Sequence, residues 1–394
     1  MAKPRTRVGP LASHAGPAPV LDVDALLDDR SIGIIVCCGS GGVGKTTTSA
    51  ALALRAAERG RTVVVLTIDP ARRLAQSMGI EELDNTPRPV AGVDDAGGGS
   101  LEAMMLDMKR TFDEVVESQA SPEKARQILE NPFYLAMSSS FAGTQEYMAM
   151  EKLGQVHHQG TYDLIVVDTP PSRSALDFLD APERLSSFLD GRLIRLLLAP
   201  ARGPARLMSV GVNLVTGTLA RILGGQFLSD VQTFVAALDT VFGGFRARAQ
   251  QTYALLQAPG TAFVVVAAPE NDALREAAYF VERLSEERMP LAGLVVNRAS
   301  PAALGSLSAD EAMAGAARLR REPPSETAPL TAGLLRLHAD RERMVEREAV
   351  LRARFAAAHP SVATAVVPAL AGDVHDLVGL RQVGDLLADQ DPRA

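Results

Sequence analysis

The chain has 394 residues, 47% of them hydrophobic and 22% charged, and its formal net charge is −7. This length predicts two or three modules of about 150 residues each and a core that needs no disulfides. The acidic balance, an aromatic content of 4% and the absence of tryptophan argue against nucleic acid as the main partner. Because no apolar run reaches the ~18 residues of a membrane span, we expect a soluble, cytoplasmic protein without an integral membrane segment.

Residues 1–25 are rich in alanine, proline and glycine, and we predict a disordered tail there. Beyond it lie short β-branched runs without polar alternation: Ile32–Cys38, Thr62–Ile68, Tyr162–Val167, Thr261–Ala267, Leu291–Val296 and Val362–Val367, with Leu101–Asp107 as a further candidate. Continuous apolar strands separated by helical stretches predict a doubly wound, mostly parallel α/β sheet with both faces covered.

Two long segments between these strands, 108–158 and 180–256, lack strand character and predict an inserted helical subdomain. Residues 300–330 contain several prolines and glycines and are predicted to be a surface linker. A charged helix is expected over about Thr331 to Ala358. Its buried stripe is predicted to comprise Leu334, Leu335, Leu337, Met344, Val345 and Leu351.

The stretch from Gly39 to Thr46 follows an apolar strand, opens a helix and satisfies the P-loop pattern G-x-x-x-x-G-K-T. Glycines let backbone N–H groups turn inward around phosphate oxygens, and the helix N-terminus adds its positive dipole end. Lys45 is expected to reach the β- and γ-phosphates and the Thr46 hydroxyl to bind Mg²⁺. The predicted nucleotide-binding residues of this loop are Gly41, Gly42, Val43, Gly44, Lys45, Thr46 and Thr47.

Two aspartates at strand ends complete the predicted site. Asp168 follows a buried strand where a Walker B carboxylate belongs, so we expect it to hold Mg²⁺ directly or through water. Asp69 ends another strand at the carboxyl edge of the sheet and is placed to orient the attacking water. An aspartate after a strand is also a common helix N-cap, and for Asp69 the two interpretations remain open.

Four segments together have a recognisable pattern: the loop Gly41–Thr47, Thr67–Ala71, Val167–Ser172 and Phe141–Leu153. They resemble the arsenite-pump ATPase family, which also contains the ATPase that targets tail-anchored membrane proteins, and the last segment is similar in particular to actinobacterial members. The resemblance covers about residues 31 to 385.

The resemblance implies a P-loop NTPase fold and a dimeric, Mg²⁺-dependent ATPase of the deviant Walker A class. The segment from Asp69 would be switch I and that from Asp168 switch II. By position, Asn297 resembles the family's adenine-contacting asparagine, and the turn beginning at Pro368 resembles its adenine loop. ATP is favoured over GTP because the residues after Asn297 do not form the Asn-Lys-x-Asp motif of guanine specificity.

The strand pattern and the two helical segments divide the chain into two units. Residues 26–107, 159–179 and 257–394 would form the nucleotide-binding domain, and 108–158 and 180–256 the helical subdomain. Family members pass the motion produced by hydrolysis to this subdomain, which handles a client. Its apolar residues predict either a groove for a hydrophobic protein client or plain subdomain core.

The chain departs from the family at Ser40, where the deviant loop has a second lysine that reaches the partner's phosphates. A hydroxyl cannot supply that charge, and such trans cations are worth ~10³–10⁵ in rate in other P-loop enzymes. Hydrolysis is therefore weak in the isolated chain, or a nearby cation such as Arg72 or Arg73 substitutes, or a partner supplies the lysine. We hypothesise a heterodimer with a lysine-bearing paralogue, against the simpler homodimer.

Two further interpretations remain open. The chain is alternatively a degenerate ATP-binding regulatory subunit, which Ser40 favours and the intact Lys45, Thr46, Asp69 and Asp168 oppose. The other alternative is a positioning ATPase of the ParA/MinD type, which shares the deviant loop but lacks long helical insertions.

Overall fold

The structure, a computed structural model, describes residues 19–68, 73–131, 134, 144–170, 247–301, 307–321 and 327–390. Asp69, Arg72 and most of the predicted second helical segment lie outside the described residues.

The central feature is one mixed sheet in the order β3-β4-β2-β5-β1-β6-β7-β8. All neighbouring strands are parallel except β3, which runs antiparallel to β4 at the edge. The strands are β1 (Ile34–Cys38), β2 (Thr62–Thr67), β3 (Arg88–Pro89), β4 (Ser100–Met105), β5 (Leu164–Asp168), β6 (Thr261–Ala267), β7 (Leu291–Ala299) and β8 (Thr364–Pro368). Each predicted strand is present, and the short edge strand β3 is the one that the sequence did not indicate.

Helices surround this sheet. They are α1 (Val23–Asp28), α2 (Lys45–Glu58), α3 (Arg73–Ser77), α4 (Met108–Gln119), α5 (Pro122–Leu129), α6 (Thr144–Gln159), α7 (Asn271–Glu286), α8 (Ala309–Leu319), α9 (Ala328–Ala358) and α10 (Leu377–Ala388). Because every residue of β1, β5 and β6 is buried, these strands are apolar on both faces rather than alternating. The predicted doubly wound α/β fold is confirmed.

The direction of the crossovers changes beside β1. The connection from β1 through α2 leads to β2 on one side of the sheet, whereas that from β6 through α7 leads to β7 on the other. Right-handed crossovers that run in opposite directions place their helices on opposite faces of the sheet. Ligands of open α/β sheets bind at such a switch point, outside the carboxyl ends of the strands. The fold therefore directs attention to the ends of β1 and β6.

The predicted disordered tail of residues 1–25 extends too far. Leu21 and Val23 are buried in the core, Val20 bridges to Thr364, and α1 begins at Val23. Burial of these apolar side chains offsets the entropy of ordering a segment whose composition alone indicates disorder. Residues 1–18 lie outside the described part.

Salt bridges fasten α1 and α10 to α2. The guanidinium of Arg55 donates to Asp24 at 2.6 Å and to Asp385 at 2.8 Å. The hydrogen bond from Arg55 is the main cause that lowers the pKa of the Asp24 carboxyl below its ordinary value. The N-terminal helix is thus held partly by a carboxylate that must remain ionised.

A buried arginine lies at the amino ends of the strands, on the side of the sheet away from the switch point. Arg61 is 1% exposed. Its guanidinium donates to the backbone oxygens of Leu27 at 3.0 Å, Asp29 at 3.3 Å, Ile32 at 2.6 Å and Asp163 at 2.6 Å. Four acceptors are satisfied by one side chain that joins the loops before β1 and β5.

The predicted linker of residues 300–330 contains a helix, which corrects that prediction. Ser308 and Glu311 form a capping box at the start of α8, and this local signal stands among prolines and glycines that indicate a loop. Helix α8 packs on α9 through Ala309, Ala312 and Ala339. Small residues at this contact let the two helices approach closely.

The predicted stripe of α9 is correct only in part: Leu335 packs at the contact with α8, and Leu351 packs against the main core. Leu334, Leu337 and Met344 are 59%, 67% and 47% exposed, whereas the buried residues are Ala332, Ala339 and Phe355. The buried residues of the contact with α8 are alanines, with Met313 and Leu335 packed against them, and Leu334, Leu337 and Met344 are left exposed. Among the described helices, none is long and apolar enough to cross a lipid bilayer.

Candidate functional site

The P-loop connects the end of β1 at Cys38 to the start of α2 at Lys45. Gly44 has a φ of 93°, and a Cβ there would lie 2.2 Å from the Asn297 amide nitrogen. A Cβ on Gly39 would lie 2.1 Å from the backbone oxygen of Val266 in β6. These glycines are therefore required both by backbone conformation and by the close approach of neighbouring strands.

Lys45 occupies the first turn of α2 and is 5% exposed. Its ammonium donates to the backbone oxygen of Ser40 at 2.7 Å, so it lies across the loop. A lysine ammonium combined with the backbone N–H groups of such a loop and a helix N-terminus is the arrangement that binds phosphate oxygens.

Thr46 and Asp168, which the sequence predicts as magnesium ligands, are brought together. The Thr46 hydroxyl donates to Asp168 Oδ2 at 2.8 Å, and the Thr67 hydroxyl at the end of β2 donates to the same oxygen at 2.9 Å. Asp168 is fully buried. A hydroxyl and a carboxylate beside a phosphate loop are the oxygen donors that Mg²⁺ prefers, so the residues present fit this ion.

An open cleft of about 400 Å³ lies at the switch point, between the ends of β1 and β6. One wall is the outer side of the P-loop, and the opposite wall is the turn after β6 and the first turn of α7. The lining residues are Ser40, Gly41, Gly42, Val43, Ala268, Pro269, Glu270, Asp272, Ala273, Glu276, Arg298 and Glu348. The position agrees with the rule for open α/β sheets.

Asn297 lies at the same edge of the sheet, near the end of β7, and is 8% exposed. Its amide nitrogen donates to the backbone oxygen of Val43 at 2.9 Å. Pro368 ends the neighbouring strand β8 and pairs with Ala299. The two residues predicted to contact adenine therefore lie close together, and one of them already contacts the phosphate loop.

Thr47, the last residue of the predicted nucleotide-binding loop, is partly exposed in the first turn of α2.

Two members of the site were not found from the sequence. Arg298 donates to the backbone oxygen of Gly42 at 3.0 Å, and Glu348 of α9 accepts from Ser300. The one signal for Arg298 was its position next to Asn297; Glu348 lies within a run of charged helix residues that has no distinguishing spacing. Of the predicted catalytic residues, Asp69 is outside the described part of the chain.

The two cysteines are buried free thiols. Cys37 and Cys38 are buried in β1, and burial raises the pKa of Cys37 to about 12 and that of Cys38 further. Both therefore remain protonated thiols at neutral pH.

Comparison with known proteins agrees with this geometry. The sequence model of the anion-transporting ATPase family matches residues 32–310. An ATPase GET3 from Ajellomyces dermatitidis is 26% identical over 275 residues, which are 69% of this chain and 74% of the relative. An ATPase ASNA1 homolog from Cryptosporidium parvum is 27% identical over 263 residues, which are 66% of this chain and 63% of the relative. An ATPase GET3 from Malassezia globosa is 30% identical over 164 residues, which are 42% of this chain and 46% of the relative.

The matching family is one of ATPases, and each of these relatives is named as an ATPase. The family match covers more than half of the chain and includes the P-loop, the strand that ends in Asp168, and Asn297. The resemblance predicted from the sequence motifs is confirmed, and the chain belongs to the anion-transporting ATPase family.

Proposed function

We propose that this protein is a Mg²⁺-dependent ATP hydrolase of the deviant Walker A class that works as a dimer and couples its nucleotide state to a helical subdomain. The observation that carries the proposal is the hydrogen bond from Thr46, in the first turn of α2, to the buried Asp168 at the end of β5. A buried carboxylate next to this hydroxyl has a clear use when a divalent cation accompanies the nucleotide.

In this proposal each residue of the loop has a separate task. Backbone N–H groups of Gly41–Thr47 bind phosphate oxygens, and the Lys45 ammonium exchanges the Ser40 carbonyl for the β- and γ-phosphates. Thr46 and Asp168 hold Mg²⁺, which when bound neutralises charge on the phosphate chain. Asp69 orients the attacking water, a role that stays a prediction from the sequence.

For the base, we propose that Asn297 and the turn from Pro368 contact adenine. Their support is proximity: Asn297 pairs with Val367 in the last positions of the β7–β8 ladder, at the carboxyl edge where the P-loop also lies. Asn297 donates to Val43 through its amide nitrogen, so its second amide hydrogen and its oxygen are the groups offered to a base.

The proposed dimer needs another source for the positive charge that a lysine at position 40 would supply. Ser40 lies beside an open cleft and is partly exposed, so a cation from a partner has access to it. We propose a heterodimer in which a lysine-bearing paralogue supplies the charge; a homodimer is the simpler assembly. The helical subdomain, 108–158 and 180–256, is proposed to bind that partner or a hydrophobic protein client.

Ser40 also favours a second candidate function. Without the trans cation, the chain would bind ATP and switch conformation as a regulatory subunit of an active paralogue, with little hydrolysis of its own. Both candidates require nucleotide binding, and they differ in turnover by the isolated chain.

The test is ATP turnover by the purified chain, measured for the wild type, Ser40→Lys and Lys45→Ala, with the oligomeric state followed by light scattering. A wild type that binds ATP but turns over slowly, with faster turnover in Ser40→Lys, supports the missing trans cation. Rapid turnover by a wild-type homodimer that Lys45→Ala abolishes overturns the heterodimer proposal. A wild type that does not bind ATP overturns the proposed function as a whole.

A further inference from the structure

The segment after β7 has an irregular backbone. The ladder between β7 and β8 shifts register at Arg298, since Asn297 pairs with Val367 and Ala299 pairs with Pro368. Arg298 has a φ of 60°, the left-handed region that a residue with a Cβ seldom adopts. Such strain persists where surrounding contacts impose it, and bulges of this kind redirect a side chain next to functional sites.

The bulge directs two successive side chains to the same target. Asn297 donates to the Val43 oxygen at 2.9 Å and Arg298 donates to the Gly42 oxygen at 3.0 Å. In a phosphate loop the N–H groups face the anion and the carbonyls face away. Donors that hold two consecutive carbonyls on the outside keep the corresponding peptide groups oriented for phosphate.

The far end of this segment is held by α9. Glu348 accepts from the Ser300 backbone N–H at 2.7 Å and from the Ser300 hydroxyl at 2.7 Å, so both carboxylate oxygens are used. Arg341 of the same helix donates to the backbone oxygen of Pro301 at 3.2 Å. Glu348 is partly buried and lines the cleft beside the P-loop. The segment 297–300 is therefore fixed at one end to the phosphate loop and at the other to α9.

We propose that Glu348 is a positioning residue for nucleotide binding, which acts through Ser300 and Arg298 to hold the phosphate loop in its anion-binding shape. This rests on the proposed nucleotide-binding function. Without Glu348 the strained bulge relaxes, and the Gly42 and Val43 peptides gain freedom that phosphate binding must remove again. The effect falls on the phosphate chain itself, whichever base is attached to it.

Calorimetric titration of the full chain with two probes, a non-hydrolysable ATP analogue and inorganic triphosphate, both with Mg²⁺, tests the proposal. Glu348→Ala is expected to lower the affinity for both probes by a similar factor of about ten. This is the lower end of the loss seen when residues that orient the ligands of a metal site are removed. Glu348→Gln keeps an acceptor for the Ser300 N–H and is expected to retain part of the affinity. Glu346→Ala, an exposed carboxylate on the same helix, is the matched control and should leave both affinities unchanged.

The outcomes separate three cases. Unchanged affinities in Glu348→Ala, or a loss confined to the ATP analogue, overturn the inference and leave nucleotide binding intact. A wild type that binds neither probe overturns the proposed nucleotide-binding function, and the inference that rests on it falls as well. If Glu348→Ala does not fold, Ser300→Ala removes the hydroxyl donor alone, and a loss of about threefold for both probes supports the inference; no loss overturns it.

Discussion

The ammonium of Lys45 lies 2.7 Å from the backbone oxygen of Ser40, so the loop supplies its own acceptor in the place where phosphate oxygens are expected. An anion that enters the loop must compete with a neutral carbonyl for this cation. Because a charged oxygen is the stronger acceptor, the exchange favours binding.

The first prediction concerns this cation. Lys45→Ala should weaken binding of Mg-ATP by about 3 kcal/mol, on the order of a hundredfold in Kd, since a buried charge pair with phosphate is lost. Isothermal titration calorimetry measures the change. Lys124→Ala, which removes an exposed lysine of α5, should bind like the wild type. An affinity in Lys45→Ala within threefold of the wild type would contradict the assignment.

The second prediction concerns the metal. In Asp168→Asn one amide oxygen can still accept from Thr46 and Thr67, so the fold should be retained, but the negative charge is lost. ATP turnover at a fixed Mg²⁺ concentration should fall roughly 10–100-fold, and titration of turnover with Mg²⁺ should show a higher half-saturation. Asp95→Asn, at an exposed position, is the control. A Mg²⁺ titration identical to that of the wild type would remove Asp168 from the metal site.

The third prediction concerns stability. Arg61→Met retains most of the side-chain volume but leaves the oxygens of Leu27, Asp29, Ile32 and Asp163 without this donor. The free energy of unfolding should fall by about 3 kcal/mol, because unsatisfied buried acceptors bear their desolvation cost. Urea unfolding followed by circular dichroism measures the loss.

The control for this change is Arg88→Met, which removes a half-exposed arginine whose partner is Asp84. Such a surface pair contributes about 0–1 kcal/mol, so the variant should unfold close to the wild type. An equal decrease in the free energy of unfolding in the two variants would show that the buried contacts of Arg61 stabilise the fold no more than a surface salt bridge does.

The fourth prediction concerns pH. The hydrogen bond from Arg55 lowers the pKa of Asp24 below its ordinary value of 3.8, so the folded chain binds this proton less readily than the unfolded chain does. The resulting stability is fully present above pH 3.8 and is lost as the pH falls through the lowered folded-state pKa. Because Asp24 is about one third exposed, its share is about 1 kcal/mol or less.

Asp24→Asn should therefore unfold more easily than the wild type at pH 7, and the difference should shrink toward pH 3. Urea unfolding at both pH values measures it. A deficit of the same size at both values would assign the effect to packing of α1 rather than to the ionised carboxylate.

Much of the fold was predictable because its signals are local. Buried strands of a parallel sheet are short apolar runs between turn residues, and each predicted run is a strand in the structure. The capping box of α8 was equally local, but it stands in a segment whose proline and glycine content indicates a loop. The exposure of Leu334 and Leu337 in α9 could not be predicted, because the buried residues at the contact between α8 and α9 are alanines.

The site divides in the same way. Lys45 and Thr46 follow from a motif with fixed spacing and Asp168 from its position at the end of a buried strand, and the structure brings Thr46 and Asp168 into contact. Arg298 and Glu348 were missed because their roles depend on a register shift and on where α9 crosses the sheet edge. Neither property has a signature in the order of residues along the chain.

The central position of β1 has a consequence for how the protein is made. Ile35 pairs with Val166 on one side and with Ala262 on the other, and the loop that follows is held by Asn297. A nascent chain carries the glycine-rich sequence early but gains these three supports only after most of the polypeptide has been synthesised. Since pairing between distant segments forms slowly, we expect the glycine-rich loop to acquire its shape late in biogenesis. Incomplete chains would then carry the motif without the contacts that shape it.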